Sequence, residues 1–265
     1  NELKSTDGEI TFQEEFQAET IQDVKQNLQF GSYQKYQFTS STGYKMKYYL
    51  YTPDYGENVS GLPTLVYMSG AGERGDRTNT SGLPYLIDQK KIVPAGMVIA
   101  PQFANENELN TEAYQSALIE LVNNVVEQNH GDKDRISLCG HSVGATIGYK
   151  IIADNPGYFS AFVPLSGKAV RVTDKKGNIN NDAYEALKNM NILSICGTGD
   201  TPYGNFSTSK KIAEDLQKVN PNVNFIPLEG FGHIIQTKVF GESYQLGNGQ
   251  TVSILDWAFN QKKQV

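Results

Sequence analysis

The 265-residue chain has only two cysteines, one tryptophan and three histidines. Two cysteines are too few for a disulfide scaffold, and no CxxC or Cys/His ligand spacing exists, which argues against a structural zinc site. No apolar stretch approaches the roughly 18 residues of a membrane helix. There is no basic-then-apolar leader, and the start at Asn1 fits a processed mature form or a trimmed chain. An excess of cations is also missing: Lys plus Arg is 23 against 29 Asp plus Glu, a net charge of -6. That balance argues against nucleic acid or an anionic membrane as partner. What is present is ordinary for a folded protein. Hydrophobic residues are 38% and charged residues 20%, enough for a sizeable core.

Residues 1–30 are polar, rich in Glu and Gln, with thinly spaced apolar positions at Phe12, Phe16, Ile21, Val24 and Leu28. They read as a linker or leading tail, with a short helix on the domain edge as the alternative. From residue 31 to 265 one domain is expected. Tyr33–Thr39 and Lys45–Thr52 alternate, are rich in aromatics and flank Ser40-Ser41-Thr42-Gly43, which reads as an antiparallel hairpin. Short apolar runs then alternate with helical segments. Strands are expected at 64–68, 96–100, 135–139, 161–165, 192–196 and 223–228. Helices are expected at 111–129, 143–154, 182–190, 207–219 and 253–261. This order means an α/β fold: a mostly parallel central sheet with helices on both faces.

Gly140-His141-Ser142-Val143-Gly144 falls between an expected strand and an expected helix. G-x-S-x-G alone recurs by chance; in a strand–turn–helix it lifts a serine hydroxyl above the sheet edge at a helix N-terminus. The dipole and free N–H groups there favour the anion formed in acyl transfer. The competing reading is a serine in a Gly-rich turn with no chemistry.

A serine nucleophile needs a base and the base an orienting acid. His130, at a helix end beside Gly131, reads as a surface cap. His141 cannot easily aim at its neighbour Ser142. His233 follows the last strand in a loop able to reach over the sheet, and is the expected base. Asp200, where a short loop leaves the strand at 192–196, is the expected acid. Asp174 and Asp182 read as solvated, and Glu229 is the rival.

The order Ser, Asp, His is the α/β-hydrolase order. Together with Ser69-Gly70-Ala71-Gly72-Glu73-Arg74-Gly75, Ala100-Pro101-Gln102, Gly199-Asp200 and Gly232-His233, it makes residues 35–262 resemble α/β-hydrolases of the bacterial predicted-esterase and peptidase-like group. Relatives of that group are feruloyl esterases, polyhydroxybutyrate depolymerases and dienelactone-hydrolase-like enzymes. The resemblance implies an α/β-hydrolase fold, with oxyanion donors at the backbones of Ala71 and Val143. It departs from the family at Ser69, where His is usual, and at Val143, where Met is usual. Ser69 is expected to brace the 70–72 loop through its hydroxyl.

Glu73-Arg74 reads as an ion pair holding that loop, or as a substrate contact. Gln102 reads as a substrate-binding residue at the pocket mouth or as a turn-stabilising amide. Tyr203 and Phe231, beside acid and base, read as substrate-stacking rings or as wall residues. Cys139 and Cys196 end two strands with another expected between them, too far apart for a disulfide.

The reading is a serine carboxylic-ester hydrolase with no metal or cofactor. The stretch between Leu165 and Ile192 is short for a lid, so the pocket is expected to be open. That suits small-molecule or polysaccharide-linked esters, feruloyl or acetyl. The alternatives are a serine peptidase or a non-catalytic binding module on the same fold. Secretion or surface display is expected, with the cytoplasm as the alternative.

Overall fold

The computed structural model describes residues 27–56, 59–169, 172–174, 177–201 and 205–263, with the short strand Phe16–Gln17. Eight strands form the central sheet: β1 (Gln29–Thr39), β2 (Lys45–Asp54), β3 (Leu62–Met68), β4 (Met97–Pro101), β5 (Gly131–His141), β6 (Ala161–Leu165), β7 (Asn191–Gly197) and β8 (Val223–Leu228). Their spatial order is β8-β7-β6-β5-β3-β4-β2-β1. β1, β2 and β4 pair antiparallel; every other neighbouring pair is parallel. The hairpin turn closes at Gly43, whose φ of 83° suits glycine. Because β1 begins at Gln29, the sheet starts just inside the segment read as a leader, most of which lies outside the described residues.

β3 shows why the sheet is covered on both sides. All seven of its residues are buried. Val66 and Met68 face one apolar cluster, Leu65 and Tyr67 the other, as the period of a strand requires. On the first face lie α2 (Glu112–Gln128), α3 (Val143–Asp154), α4 (Asn181–Leu187) and α5 (Asn205–Gln217), through residues such as Leu118, Ile151, Leu187 and Ile212. On the second lie α1 (Gly82–Asp88) and α6 (Ile254–Asn260), through Leu83, Ile87, Ile254 and Phe259.

α2 begins where the Thr111 side chain accepts from the Tyr114 N–H, and buries Leu118, Leu121, Val122 and Val125 along one stripe. It ends at Asn129; His130, at φ 50°, takes the left-handed position after it, the expected cap. α1 and the small hairpin β9 (Ser243–Gln245) with β10 (Thr251–Ser253) are additions to the expected elements. Cys139 and Cys196 are free and buried, with β6 between their strands. Burial pushes both thiols up, that of Cys196 to about 11, so neither is a ready nucleophile. Among the described residues no helix is long and apolar enough to cross a membrane.

Candidate active site

The turn from β5 into α3 is set by backbone crowding. A Cβ on Gly140 would lie 2.5 Å from the carbonyl carbon of Gly144. A Cβ on Gly144 would lie 2.2 Å from the Met68 carbonyl oxygen and 2.7 Å from that of Ser69. Neither position has room for a side chain, so both motif glycines are sterically required. Ser142 between them holds φ 54° and ψ -118°, a conformation that costs a non-glycine residue about 1–3 kcal/mol. Its N–H donates to the Leu165 carbonyl at 2.9 Å, which ties the turn to β6.

His233 Nε2 lies 2.9 Å from Ser142 Oγ, and His233 Nδ1 lies 2.9 Å from Asp200 Oδ2. The geometry thus brings together the three residues singled out in the sequence. Asp200 follows β7 with its side chain fully buried, and the His233 ring is 19% exposed. Asp174 is exposed and accepts from Asn178 in its own turn. Asp182 lies in α4, and Glu229 is exposed with Thr198 as partner.

Two residues beyond the expected three belong to this cluster, Asn205 and the His141 set aside as a base. Asn205, the first residue of α5, is buried; its Nδ2 donates to Asp200 Oδ2 at 3.0 Å and sits 3.0 Å from His233 Nδ1. The two residues are only five apart, but no motif marks that amide as the partner of the carboxylate. His141 is 2% exposed; its Nε2 lies 3.1 Å from the His233 carbonyl, so an Nε2–H donates there. Its ring centroid is 5.2 Å from that of His233. Burial lowers the His141 pKa to about 4. The ring is therefore neutral near pH 7 and puts no positive charge beside His233.

The loop after β3 sits against the start of α3, as the close approach of Gly144 to Met68 and Ser69 shows. Ala71 opens a short 3-10 turn, Ala71–Glu73, and Val143 is the first residue of α3. Among the described residues, neither backbone N–H has a backbone partner.

What holds this loop differs from expectation. Ser69 is 1% exposed and its hydroxyl has no hydrogen-bond partner, so it braces nothing through that group. Glu73 does not pair with Arg74. Its buried carboxylate accepts from the Ser81 hydroxyl and, at 2.8 Å, from Gln236 Nε2. Gln236 lies three residues beyond His233, so this contact ties the two loops together. Arg74 Nη1 donates to the Ala71 carbonyl at 2.8 Å. Gln102 is also corrected: it is 8% exposed, and its Nε2 donates to the Gly75 carbonyl and, at 3.1 Å, to Thr78 Oγ1. Its amide is engaged in the loop's far side, the turn-stabilising alternative, and is not presented to a substrate. Phe231 is half-buried; its carbonyl accepts from the Gly199 N–H at 2.8 Å and Lys238 Nζ caps its ring at 5.3 Å, which makes it a wall of the histidine loop. Tyr203 lies outside the described residues.

Among the described residues, no group of three or more His, Cys, Asp or Glu is placed to hold a metal ion. A hydroxyl, an imidazole and a buried carboxylate in one chain of hydrogen bonds, beside two unpaired backbone donors, can carry out acyl transfer.

The fold is that of an α/β-hydrolase. A family model described as "Putative esterase" matches residues 39–226, and the chain belongs to that family. Solved structures share the fold. A thermostable esterase superposes with a TM-score of 0.60 at 22% identity, over 75% of this chain and 55% of that one, so this chain spans about half its length. A feruloyl esterase module of Clostridium thermocellum, a serine-to-alanine mutant complexed with sinapinate, gives 0.60 at 16% identity over 87% and 86%. A substrate-bound fluorophosphonate-binding serine hydrolase of Staphylococcus aureus gives 0.56 at 19% identity over 77% and 92%. No curated protein matches the chain in sequence.

Proposed function

We propose that the protein is a serine esterase that cleaves carboxylic esters through an acyl-enzyme. The observation that carries this reading is the chain Ser142 Oγ, His233 Nε2, His233 Nδ1, Asp200 Oδ2, with both links at 2.9 Å. In this reading His233 takes the serine proton as Ser142 attacks the ester carbonyl. The N–H groups of Ala71 and Val143 receive the oxyanion. His233 then protonates the leaving alcohol, and water repeats the cycle on the acyl-enzyme. Asp200, held by Asn205, keeps the imidazole in the tautomer with its proton on Nδ1.

For substrate we propose a feruloyl or acetyl ester carried on polysaccharide, which goes with a secreted or surface-displayed protein. The likeness to a feruloyl esterase module complexed with sinapinate supports this choice.

The test is a panel of p-nitrophenyl acetate, feruloyl and acetyl sugars and aminoacyl anilides, with a fluorophosphonate label read in parallel. Ester turnover and labelling are expected, both abolished in Ser142→Ala, with a rate loss of at least about 10³. Asp200→Asn is expected to lose on the order of 10⁴, while Asp174→Asn retains activity. Anilide cleavage without ester cleavage would make the protein a peptidase. An unlabelled Ser142 would make it a binding module.

A further inference from the structure

A concave site lies away from these residues. It is a cleft of about 510 Å³ between the outer strand β8, the β9–β10 hairpin and α6. It touches the leading ends of β7 and β8 at Asn191 and Val223, whereas Asp200 and His233 follow the trailing ends of those strands. Eight of its fifteen lining residues are Asn or Gln and none is charged, in a chain whose residues are 20% charged.

Several of these amides are oriented by the protein with one end left over. Gln217 Nε2 donates to the Val223 carbonyl at 3.1 Å and Gln261 Nε2 to the Trp257 carbonyl at 2.9 Å, leaving each Oε1 as an acceptor. Asn224 Oδ1 accepts from the Gly247 N–H at 3.2 Å, leaving Nδ2 as a donor. Trp257 and Phe225 supply aromatic wall.

This lining selects by chemistry. A charged ligand would enter without a counter-charge. An apolar one would leave fixed donors and acceptors unpaired. A hydroxyl both donates and accepts, so a neutral polyhydroxylated ligand pairs with acceptors and donors alike, while its C–H faces pack on the rings. A peptide strand is poorly served. The Val223 carbonyl on the outer edge of β8 is already taken, and Pro227 has no N–H to offer there.

We infer that this cleft binds a neutral oligosaccharide at a site separate from Ser142. The inference does not rest on ester hydrolysis. Trp257 is the only tryptophan in the chain and lines the cleft with one edge of a largely buried ring, so its emission is a single signal that a bound ligand can shift.

The experiment titrates Ser142→Ala protein with xylohexaose, cellohexaose, mannohexaose, hexagalacturonate and a blocked neutral peptide, read by Trp257 emission and by calorimetry. None of these probes is an ester. Saturable binding of at least one neutral sugar at millimolar or lower concentration is expected, with a shift in Trp257 emission. The double variant Asn222→Ala/Gln245→Ala should weaken it at least about tenfold, a change of about 1.4 kcal/mol. Among the described residues neither side chain has a partner, so the substitutions remove little but ligand contacts. The proposal falls if no neutral sugar binds or if the double variant binds as well as its parent. Hexagalacturonate or the peptide binding more tightly than every neutral sugar would equally overturn it.

Discussion

The two halves of the candidate oxyanion site are held by different physics. The elbow at Ser142 is shaped by backbone against backbone, with Gly140, Gly144, Met68 and Ser69 so close that no Cβ fits. The facing loop at Ala71 is held by side chains from far along the chain: Ser81 and Gln236 on Glu73, Gln102 on Gly75. The first is a steric constraint that two glycines of one five-residue motif meet, one against the motif's own helix start and one against the end of β3. The second is a buried polar network, dependent on every member being present.

The largest effect should come from breaking the steric half. Gly144→Ala places a methyl 2.2 Å from the Met68 carbonyl oxygen, and backbone cannot swing aside as a side chain can. We expect kcat to fall by about 10² or more, the scale of a 1 Å misplacement of reacting groups. A melting curve should show destabilisation of about 1–3 kcal/mol. Near-wild-type kcat in this variant would mean that the elbow yields more than its packing implies.

Breaking the network should cost less. Glu73→Ala leaves the half-buried Ser81 hydroxyl without its acceptor and takes one of two acceptors from the buried Gln236 amide, which keeps Ser81 Oγ at 3.0 Å, a loss of about 1–3 kcal/mol in all. Because the loop holds a backbone donor, kcat should drop about 10- to 100-fold while KM changes little. Glu73→Gln keeps an acceptor oxygen and should recover most of the loss. If Glu73→Ala and wild type share one kcat, the Glu73–Gln236 tie does not position the loop.

A third effect separates the two halves by pH. The His141 pKa is lowered in the fold, to about 4 from an ordinary 6.5, because burial disfavours the imidazolium. The unfolded chain therefore binds more protons between those values. The contribution of His141 to stability is present above pH 6.5 and is lost as pH falls towards 4, by up to about 3 kcal/mol. His141→Gln should flatten the dependence of melting temperature on pH across that window. An unchanged slope would remove His141 as its source.

The smallest effect concerns Ser69. Its buried hydroxyl has no partner, so Ser69→Ala should alter stability by no more than about 0.5 kcal/mol and kcat scarcely at all. A kcat loss of about 10² or more, the value of an oxyanion donor, would show that this hydroxyl turns toward the substrate and that Ala71 is the wrong donor.

These contrasts match what could be read before folding. The elbow was legible because strand, Gly-x-Ser-x-Gly and helix are contiguous. Asp200 and His233 were legible because only three histidines exist, and because strand ends in this fold point at one edge. Gln102 was legible as a choice between two roles, and the partner that decides it, the Gly75 carbonyl, lies 27 residues away. The Glu73–Gln236 contact spans 163 residues, and no periodicity or spacing encodes it. Asn205 lies only five residues from Asp200, yet an asparagine at that spacing is too common to single out.

By itself, then, the sequence determined the alternation of strands and helices, the hairpin that precedes it, and which serine, aspartate and histidine come together at the sheet edge. Each depends on local periodicity, on glycine where a Cβ cannot fit, or on a residue type so scarce that few choices remain. The tertiary structure alone decided which distant buried polar groups meet: Gln236 with Glu73, His141 with the carbonyl of His233, and the amides of β8 and α6 around one cleft. Such pairings follow from distances between remote segments, which take their values only when the sheet has closed between its two layers of helices.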